Sequence, residues 1–582
     1  MRRSLVLAGL LVAVSIFATA GAATPAADAC ATPDTADIGD ADTRVLLTLT
    51  NASVADDCGG GIVAAAGGEV LDSADAAPVL VARVDAAAIP ALESTPGVAA
   101  VDRDSLGGLP DDGTAMGSAA ATQSVPWGVD RVGGVSAAAR VDPNATGRVN
   151  VAVLDTGVDL DHPDIGDSVV WGADLTVEGD PRIGRQYADD VNGHGTHVAG
   201  TLAAADDGAG VVGVAPNVSV YAMRVLREDR RGYYSWWVEA IDLALAGPDG
   251  ERGTADDADV ITMSLGGSDD AEGLQRTVRN ASRDAFIVAA AGNSGRTTGD
   301  VLYPAAYPST VAVAATDRAD DPARFSSAGP AVDIAAPGTG IRSTYPTEFG
   351  GPYATFRGTS MATPHVSATL ALLLAQADGH VPAHEPLLDA VFDTAVDVGP
   401  QGSDDATGAG RLDTLAAVER PKPSFRVETP APTVDRPITL NASESVAVDG
   451  VARYNYSIAG TTLVSTPNAT ASVEVPVTGT FNVSLTVVDG EGRSASTTRS
   501  VTVSEQSVPQ VANVTPQSLN DDPLLEDIDG DGRGTIFDAL AYWNNRKDPA
   551  IVDNPQYFDF DGDGDTGDLF DTLALYRTIQ DA

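Results

Sequence analysis

Residues 151–157, VAVLDTG, decide the fold, because four apolar residues run directly into Asp155 and a Thr-Gly pair. Such a run is typical of a strand that is buried on both faces of a parallel sheet. Open α/β sheets place functional groups at the carboxyl ends of their strands, which is where Asp155 stands. The stretch therefore predicts an α/β fold with a site at Asp155.

Apolar runs of strand and helix length alternate across residues 121–419. Strands separated by helices predict a parallel sheet flanked by helices on its faces. The runs are Val149 to Leu154, His194 to Ala205, Tyr233 to Leu245, Val260 to Ser264, Leu274 to Asp284, Phe286 to Ala291, Val311 to Ala314 and Ser360 to Ala375.

Two further motifs place chemistry at the start of a helix. Residues 192–200, NGHGTHVAG, put His194 on a helix whose small residues allow close packing against the sheet. Residues 358–366, GTSMATPHV, put Ser360 at the positive end of a long apolar helix, where free backbone N–H groups suit attack on a carbonyl. His194 and His197 share a helical face, which leaves zinc as an alternative, although no third ligand of suitable spacing is present.

The order Asp155, His194, Ser360 resembles that of the subtilisin-like serine proteases, and residues 289–295, AAAGNSG, add Asn293 to the resemblance. The resemblance covers residues 121–419 and implies a subtilisin-like fold and a serine endopeptidase that acts on proteins or peptides. The acidic composition is similar to that of the halolysin-like secreted haloarchaeal members. An aspartic protease is the weaker alternative, because the second Asp-Thr-Gly triplet, at Asp565, does not follow an apolar strand.

Acyl transfer assigns a role to each of these residues. Ser360 is a weak nucleophile at neutral pH, so His194 must take its proton and later protonate the leaving amine. Asp155 would fix the imidazole tautomer, while Asn293 and the backbone N–H of Ser360 would bind the oxyanion. The resemblance also implies a substrate-binding strand made of Ser264, Leu265 and Gly266.

The same resemblance implies structural calcium. Calcium prefers oxygen ligands from carboxylates, amides and main-chain carbonyls. Ordinary solvated polar side chains are the alternative interpretation. The expected ligands are Gln123, Asp164, Ala205, Asp207, Ala209 and Val211.

The N-terminal segments predict export and a zymogen. Residues 1–23 combine two arginines, an apolar run and small residues, as a cleavable signal does, and Arg2-Arg3 leaves the twin-arginine route open. The exported pair Cys30 and Cys58 favours a disulfide. Residues 43–104 form a small α+β unit that resembles the inhibitory propeptide of the family, which predicts self-cleavage between Asp104 and Gln123.

The charge excludes one class of partner. The chain has 82 acidic and 35 basic residues, a net charge of −47, and a surface of that sign repels nucleic acid. Concentrated salt screens the self-repulsion of such a surface, since the Debye length falls to ~3 Å at 1 M. The composition therefore predicts a salt-adapted protein.

Period-two alternation predicts a β-sandwich across residues 423–504, which resembles a PKD-type domain. The Trp-Asp-Phe-Gly-Asp-Gly stretch usual in that family is missing, so its binding functions do not carry over. Asn-X-Ser/Thr triplets begin at Asn441, Asn455, Asn468, Asn482 and Asn513 and are consistent with a glycosylated surface.

Residues 524–582 resemble a dockerin-like or EF-hand repeat, a small helical calcium-loop domain. Gly532 and Gly564 stand at the sharp sixth position of two loops, and Asp571 falls one residue late in the second. Each loop precedes an apolar helix face, which predicts that the two helices pack together through Ile536, Leu540 and Trp543 against Leu569, Leu573 and Tyr576. A solvated acidic tail is the alternative. The expected calcium ligands are Asp527, Asp529, Asp531, Asp538, Asp559, Asp561 and Asp563.

Two hypotheses of different class follow for the whole chain. The first is a secreted, autoprocessed serine endopeptidase whose C-terminal domains tether it to a surface or protein. The second is a surface-binding glycoprotein with a vestigial protease domain. The complete set of Asp155, His194, Ser360 and Asn293 favours the first.

Overall fold

A computed structural model gives the structure of the chain. It describes residues 43–109, 114–117, 122–177, 179–295, 300–377, 384–434, 436–505, 511, 516–518, 524–531, 533–552, 555–561 and 566–581. The predicted signal peptide and Cys30 lie outside these residues. Among the helices of the described part, none combines the length and apolar character that a membrane crossing requires.

The first unit along the chain is a four-stranded antiparallel sheet in the order β2-β3-β1-β4. Short helical segments at Ala52–Val54, Ala55–Gly59, Gly60–Ala65, Ala86–Ala88 and Ile89–Glu93 cover it around a core that includes Val45, Leu80 and Ile62. Cys58 belongs to this core and is disulfide-bonded. The strands are β1 Thr43–Leu49, β2 Glu69–Ala74, β3 Val79–Val84 and β4 Val98–Arg103.

The strands of the central unit build one large sheet and two small ones. The large sheet has eight strands in the order β15-β14-β13-β12-β7-β10-β8-β9, and β9 alone pairs antiparallel among them. The small sheets have the orders β11-β5 and β16-β17-β6. The strands are β5 Leu106–Gly108, β6 Thr114–Gly117, β7 Asn150–Asp155, β8 Val169–Asp174, β9 Arg182–Ile183, β10 Ser219–Arg224, β11 Arg231–Tyr233, β12 Val260–Met263, β13 Phe286–Ala290, β14 Val311–Thr316, β15 Ile334–Pro337, β16 Ile341–Thr344 and β17 Tyr353–Phe356.

Helices cover both faces of the large sheet. The histidine helix His194–Ala203 and the serine helix Thr359–Gln376 share one apolar core, and the helices Tyr234–Ala246 and Glu272–Ala281 share the other. This arrangement confirms the predicted fold class, a mainly parallel α/β sheet flanked by helices. The other α-helices are Trp127–Arg131, Gly134–Ala138, Pro143–Thr146, Glu385–Asp393 and Thr414–Glu419, with 3-10 turns at Gly166–Ser168, Arg185–Tyr187 and Thr347–Phe349.

The C-terminal strands form two sheets, in the orders β18-β19-β22 and β21-β20-β23-β24. Burial alternates along β23, as the period-two pattern predicted. Contacts divide the chain into two compact units, one with the residues through Ser424, 444–453 and 486–497, the second with Phe425–Ser443, Tyr454–Leu485 and Thr498–Ala582. The strands are β18 Arg426–Val427, β19 Ile438–Asn441, β20 Val451–Ile458, β21 Thr461–Thr466, β22 Thr470–Val473, β23 Gly479–Asp489 and β24 Ser494–Val503.

The tail contains the helices Ile536–Asn545, Pro549–Val552, Pro555–Phe558 and Leu569–Asp581. The first and last of them pack together, but the predicted packing face was wrong: Ile536, Leu540, Leu569 and Leu573 are each more than two-fifths exposed. The buried face is the opposite one, with Tyr542 and Leu575 in a core shared with Phe558. Sequence periodicity identifies an apolar face, but it does not tell which of two faces meets a neighbour.

Candidate active site

An aspartate and a histidine meet at the end of the central strand. Asp155 is the last residue of β7 and His194 the first of the histidine helix, and both are buried. The Nδ1 atom of His194 lies 2.8 Å from Oδ1 and 2.9 Å from Oδ2 of Asp155. Because a carboxylate only accepts, Nδ1 carries the donated proton. The other nitrogen, Nε2, is therefore the one that is able to take a proton from a nucleophile.

Glycine allows the histidine helix to approach this strand end. A Cβ atom added at Gly195 would lie 2.0 Å from the main-chain oxygen of Gly157, a distance that no side chain tolerates. Gly193 has a φ of 101°, and a Cβ there would lie 2.2 Å from the ring of Tyr345. The two glycines beside His194 are thus required by close backbone approach.

Asp190 organises the start of the same helix, and the sequence motifs missed it, because its one local signal is its place shortly before an Asn-Gly pair. Its carboxylate accepts hydrogen bonds from the backbone N–H groups of Asn192, Gly193 and Thr196 and from the hydroxyls of Thr156 and Thr196. Burial raises the pKa of Asp190 above its usual value, against the effect of these hydrogen bonds. The carboxylate thereby connects the Asp155 loop to the first turn that carries His194.

Ser360 is the second residue of the serine helix and is fully buried. Its hydroxyl donates to the main-chain oxygen of Ser264 at 3.2 Å, and the Ser264 hydroxyl donates to the main-chain oxygen of Ser360 at 2.9 Å. Asn293 follows β13 and accepts from the N–H and the hydroxyl of Thr359 at 3.0 and 3.1 Å. Because both bonds use Oδ1, the amide orientation is fixed and Nδ2 is its donating end.

The segment Ser264, Leu265 and Gly266 pairs with the chain itself. Gly266 and Gly108 exchange two backbone hydrogen bonds, each 3.0 Å long, in an antiparallel bridge. On its other side β5 pairs antiparallel with β11. The predicted substrate strand therefore carries an added strand, which comes from the segment after the N-terminal sheet.

The zinc alternative for His194 and His197 finds no support in the geometry. The Nε2 atom of His197 donates to the main-chain oxygen of Ile341 at 3.0 Å, and its ring stacks on Phe356 with centroids 4.4 Å apart. Burial lowers the pKa of His197 to about 3, so it is a neutral core residue. Within the described part of the chain, the clusters of side chains fit for a metal ion lie in the tail and consist of aspartates alone.

The first set of predicted calcium ligands comes together at one place. The Gln123 amide donates to the oxygen of Ala205 at 3.2 Å and accepts from Gly208. Asp164 Oδ2 accepts from the N–H of Val211 and from the Tyr353 hydroxyl, both at 2.8 Å. Asp207 accepts from the N–H of Ala209 at 2.9 Å. The cluster offers carboxylate, amide and main-chain oxygen atoms, which are the ligands that calcium prefers.

The tail gathers two further acidic clusters. Oxygens of Asp527, Asp529 and Asp531 lie within 4.8 Å of one another, as do those of Asp559, Asp561 and Asp571. Burial and the like charges of Asp538 and Asp531 raise the pKa of Asp529.

The remaining predicted tail ligands differ in their placement. Asp538 accepts hydrogen bonds from the loop N–H groups of Ile528, Asp529 and Thr535. Asp563 lies outside the described residues, as do Gly532 and Gly564. In the second cluster Asp571, which the sequence placed one residue late, stands with Asp559 and Asp561.

Comparison with known proteins identifies the family. A sequence profile of the Subtilase family matches residues 147–410. The chain is 39% identical over 319 residues to Subtilisin E of Bacillus subtilis (strain 168), covering 54% of this chain and 75% of that protein. It is 43% identical over 258 residues to Subtilisin of Bacillus pumilus, covering 44% and 86%. With an Alkaline protease of Alkalihalobacillus alcalophilus the identity is 39% over 307 residues, covering 52% and 71%. Because the chain is 39% identical to Subtilisin E over 75% of that protein and has the parallel α/β sheet with a buried Asp-His pair described above, it belongs to the subtilase family of serine endopeptidases.

Proposed function

We propose that the chain is a secreted, salt-adapted endopeptidase that hydrolyses peptide bonds through an acyl-enzyme on Ser360. The observation that carries the proposal is the buried hydrogen bond that His194 donates to Asp155, on a helix that packs against the serine helix. A buried Asp-His pair stabilises the imidazolium that forms when the serine loses its proton.

Each residue then has one task. His194 accepts the Ser360 proton through Nε2 as Oγ attacks the carbonyl carbon, and it gives the proton to the leaving amine. Asn293 Nδ2 and the backbone N–H of Ser360 donate to the developing oxyanion at the positive end of the serine helix. A water molecule, activated by the same histidine, then releases the carboxylate product.

The pairing of β5 with the predicted substrate strand supports the proposal that the chain is made as a zymogen. A chain segment that pairs with Gly266 blocks the strand on which substrates would pair, so residues 43–104 act as an inhibitory propeptide that holds β5 in place. Self-cleavage falls between Asp104 and Gln123. The protease domain would span residues 121–419, followed by a PKD-like sandwich at 423–504 and a dockerin-like calcium repeat at 524–582.

Export and salt adaptation follow from the sequence alone. Residues 1–23 serve as a signal peptide, by the general or the twin-arginine route. The net charge of −47 requires screening by salt for full stability. Halolysin-like proteases share this composition.

Calcium fits both acidic regions. Gln123, Asp164 and Asp207 with the carbonyls of Ala205, Ala209 and Val211 would hold one structural ion, which would supply positive charge to a loop rich in oxygen. In the tail, the raised pKa of Asp529 marks carboxylates that repel one another and that a cation would relieve. A tail folded by calcium could tether the enzyme to a surface or protein.

Calcium binding by the tail is tested by titrating the full chain with calcium in molar NaCl and measuring the heat of binding. A heat of binding that falls in Asp527→Asn/Asp559→Asn to the part contributed by the Gln123, Asp164 and Asp207 site supports the tail sites. Equal heats in the variant and the wild type would overturn them.

The experiment for the activity compares wild type with Ser360→Ala on casein in high salt. Wild type should release peptides and Ser360→Ala should release none above background. Thr363→Ser, three residues after Ser360 on the same helix, serves as the matched control. Equal activity of wild type and Ser360→Ala would refute the proposal.

A further inference from the structure

The strands β5 and β6 follow each other in the chain, and they differ in direction relative to Ser360: β5 runs toward it and β6 runs away from it. The first is β5, where Gly108 lies opposite Gly266 in antiparallel register. Because the two segments are antiparallel, residues after Gly108 lie alongside residues before Gly266, in the direction of Ser264. The main-chain oxygen of Ser264 lies 3.2 Å from Ser360 Oγ. The chain runs directly toward the attacking oxygen.

The second is β6, which pairs antiparallel with β17. Thr114 lies opposite Phe356 and Gly117 opposite Tyr353, so the chain moves away from the serine helix as it proceeds. Phe356 ends β17 just before the Gly358 turn that leads to Ser360, and its ring stacks on His197 of the histidine helix. The strand β6 thus departs from the serine helix along β17, whereas β5 approaches along the segment that contains Ser264.

We propose that β6 is a second inhibitory strand, which covers the leaving-group side of the active site and must be removed by its own cut. The inference rests on the proposed autoprocessing and deepens it. We place the first cut between Leu109 and Thr114, because β5 runs toward the Ser264 end of its partner segment and β6 begins opposite Phe356, four residues before Ser360. The second cut falls between Gly117 and Gln123.

Each cut is an ordinary hydrolysis. Ser360 Oγ bonds to the carbonyl carbon, the C–N bond breaks, and the proton that His194 took goes to the departing nitrogen. One water then supplies the hydroxyl of the new carboxylate. After the first cut the departing amine belongs to β6, which stays joined to the protease through Gln123 and is not free to diffuse away.

This tether is what makes β6 inhibitory. A strand of four residues pairs weakly alone, but a short covalent link keeps its effective concentration near the millimolar range. It competes with substrates that have residues after the scissile bond, and it does not compete with a substrate whose leaving group is a small aryl amine. The once-cut enzyme should therefore discriminate between these two kinds of substrate.

The test follows maturation of the full chain with time. N-terminal sequencing and intact mass identify the species present, while two substrates with the same acyl residues are assayed in each sample. One is a p-nitroanilide and the other an internally quenched peptide with three residues after the scissile bond. The ratio of their turnover does not depend on how much propeptide remains bound, because the propeptide blocks the acyl side for both.

In wild type the ratio of peptide to anilide turnover should rise about tenfold as the N-terminus moves from the 110–114 interval to beyond Gly117. Ala115→Pro/Met116→Pro should show the final ratio after its first cut, because alternate residues of β6 face β17, so that one of the two prolines removes a hydrogen bond donated to it. Ala115→Ser/Met116→Leu, which keeps both backbone N–H groups of these positions, is the matched control and should behave as wild type.

A constant ratio in wild type, or a first N-terminus already beyond Gly117, would overturn the proposal, and the wild-type time course decides even if the proline variant does not fold. Failure of the proposed activity looks different, since neither substrate would then be hydrolysed at any time.

Discussion

A tryptophan beneath the substrate groove should restrict the enzyme to glycine at one substrate position. Gly107 lies directly over Trp237, and a Cβ atom added at Gly107 would be 2.1 Å from the ring atom Cη2. Trp237 is fully buried and stacks on Tyr234 at 4.6 Å, so its ring has nowhere to move. A substrate that binds as residues 106–109 do would meet the same ring.

The size of the effect follows from the distances. Carbon atoms pack at about 3.5–4.0 Å, so an alanine must shift the substrate by roughly 1.5 Å. That shift would break the pair of 3.0 Å hydrogen bonds that Gly266 makes with the next residue. Two such bonds are worth about 1–3 kcal/mol together. We therefore expect kcat/KM to fall about 5- to 150-fold.

The assay compares internally quenched peptides that contain Leu-Gly-Gly-Leu, Leu-Ala-Gly-Leu or Leu-Gly-Ala-Leu before the scissile bond. Wild type should prefer the first, and Trp237→Leu should bring the second to within about threefold of it. The third peptide is the matched control, because a Cβ at Gly108 would lie 2.4 Å from the backbone oxygen of Arg230, which the variant leaves in place. Equal kcat/KM for the first two peptides in wild type would refute the reasoning.

Three further predictions concern the framework of the site. Asp190→Asn should lower the free energy of unfolding by about 2–4 kcal/mol and reduce kcat, because the new amide N–H₂ group would face backbone N–H groups that now donate to the carboxylate. Unchanged thermal unfolding and unchanged kcat would contradict the role of Asp190. Burial, followed by the charge of Asp72, raises the pKa of Glu239 to about 8, with Asp242 and Arg44 also facing it. The raised pKa favours protonated Glu239 in the complex of propeptide and protease, so propeptide binding should be strongest below about pH 4.5 and weaken as the pH rises to 8, with a rise of about tenfold in the inhibition constant. Glu239→Gln should remove this pH dependence of the inhibition constant. A wild-type inhibition constant that does not change with pH would contradict the prediction. Chelation of calcium should lower the unfolding temperature of wild type more than that of Asp164→Asn, as differential scanning calorimetry would show; identical shifts would exclude Asp164 as a ligand.

Much of the site could be predicted because its chemistry is local in the sequence. Asp155 ends an apolar strand, and His194 and Ser360 each begin a helix, so each stands in a recognisable pattern. Parallel strands bring their carboxyl ends to one edge, which places such residues together without further information. The roles of Asn293 and of the segment Ser264 to Gly266 were implied by the family resemblance and stay predictions.

Other features depend on contacts that no local pattern reveals. Asp190 reads as a surface turn residue, yet it accepts five hydrogen bonds in the core. The strand β6 forms in a segment of small and polar residues because β17 offers a free edge to pair with. The tail helices bury Tyr542 and Leu575 rather than the predicted faces, since packing partners decide which face is covered.

The central claim is that Ser360 is the nucleophile of an Asp155–His194–Ser360 site. The most direct measurement is labelling of the mature enzyme in high salt with a fluorophosphonate, followed by mapping of the modified peptide by mass spectrometry. We expect one label, on Ser360, that is lost in His194→Ala brought to the same mature N-terminus by added wild-type enzyme, because the hydroxyl is then no longer activated. A label on another residue, or equal labelling of Ser360 in wild type and His194→Ala, would contradict it.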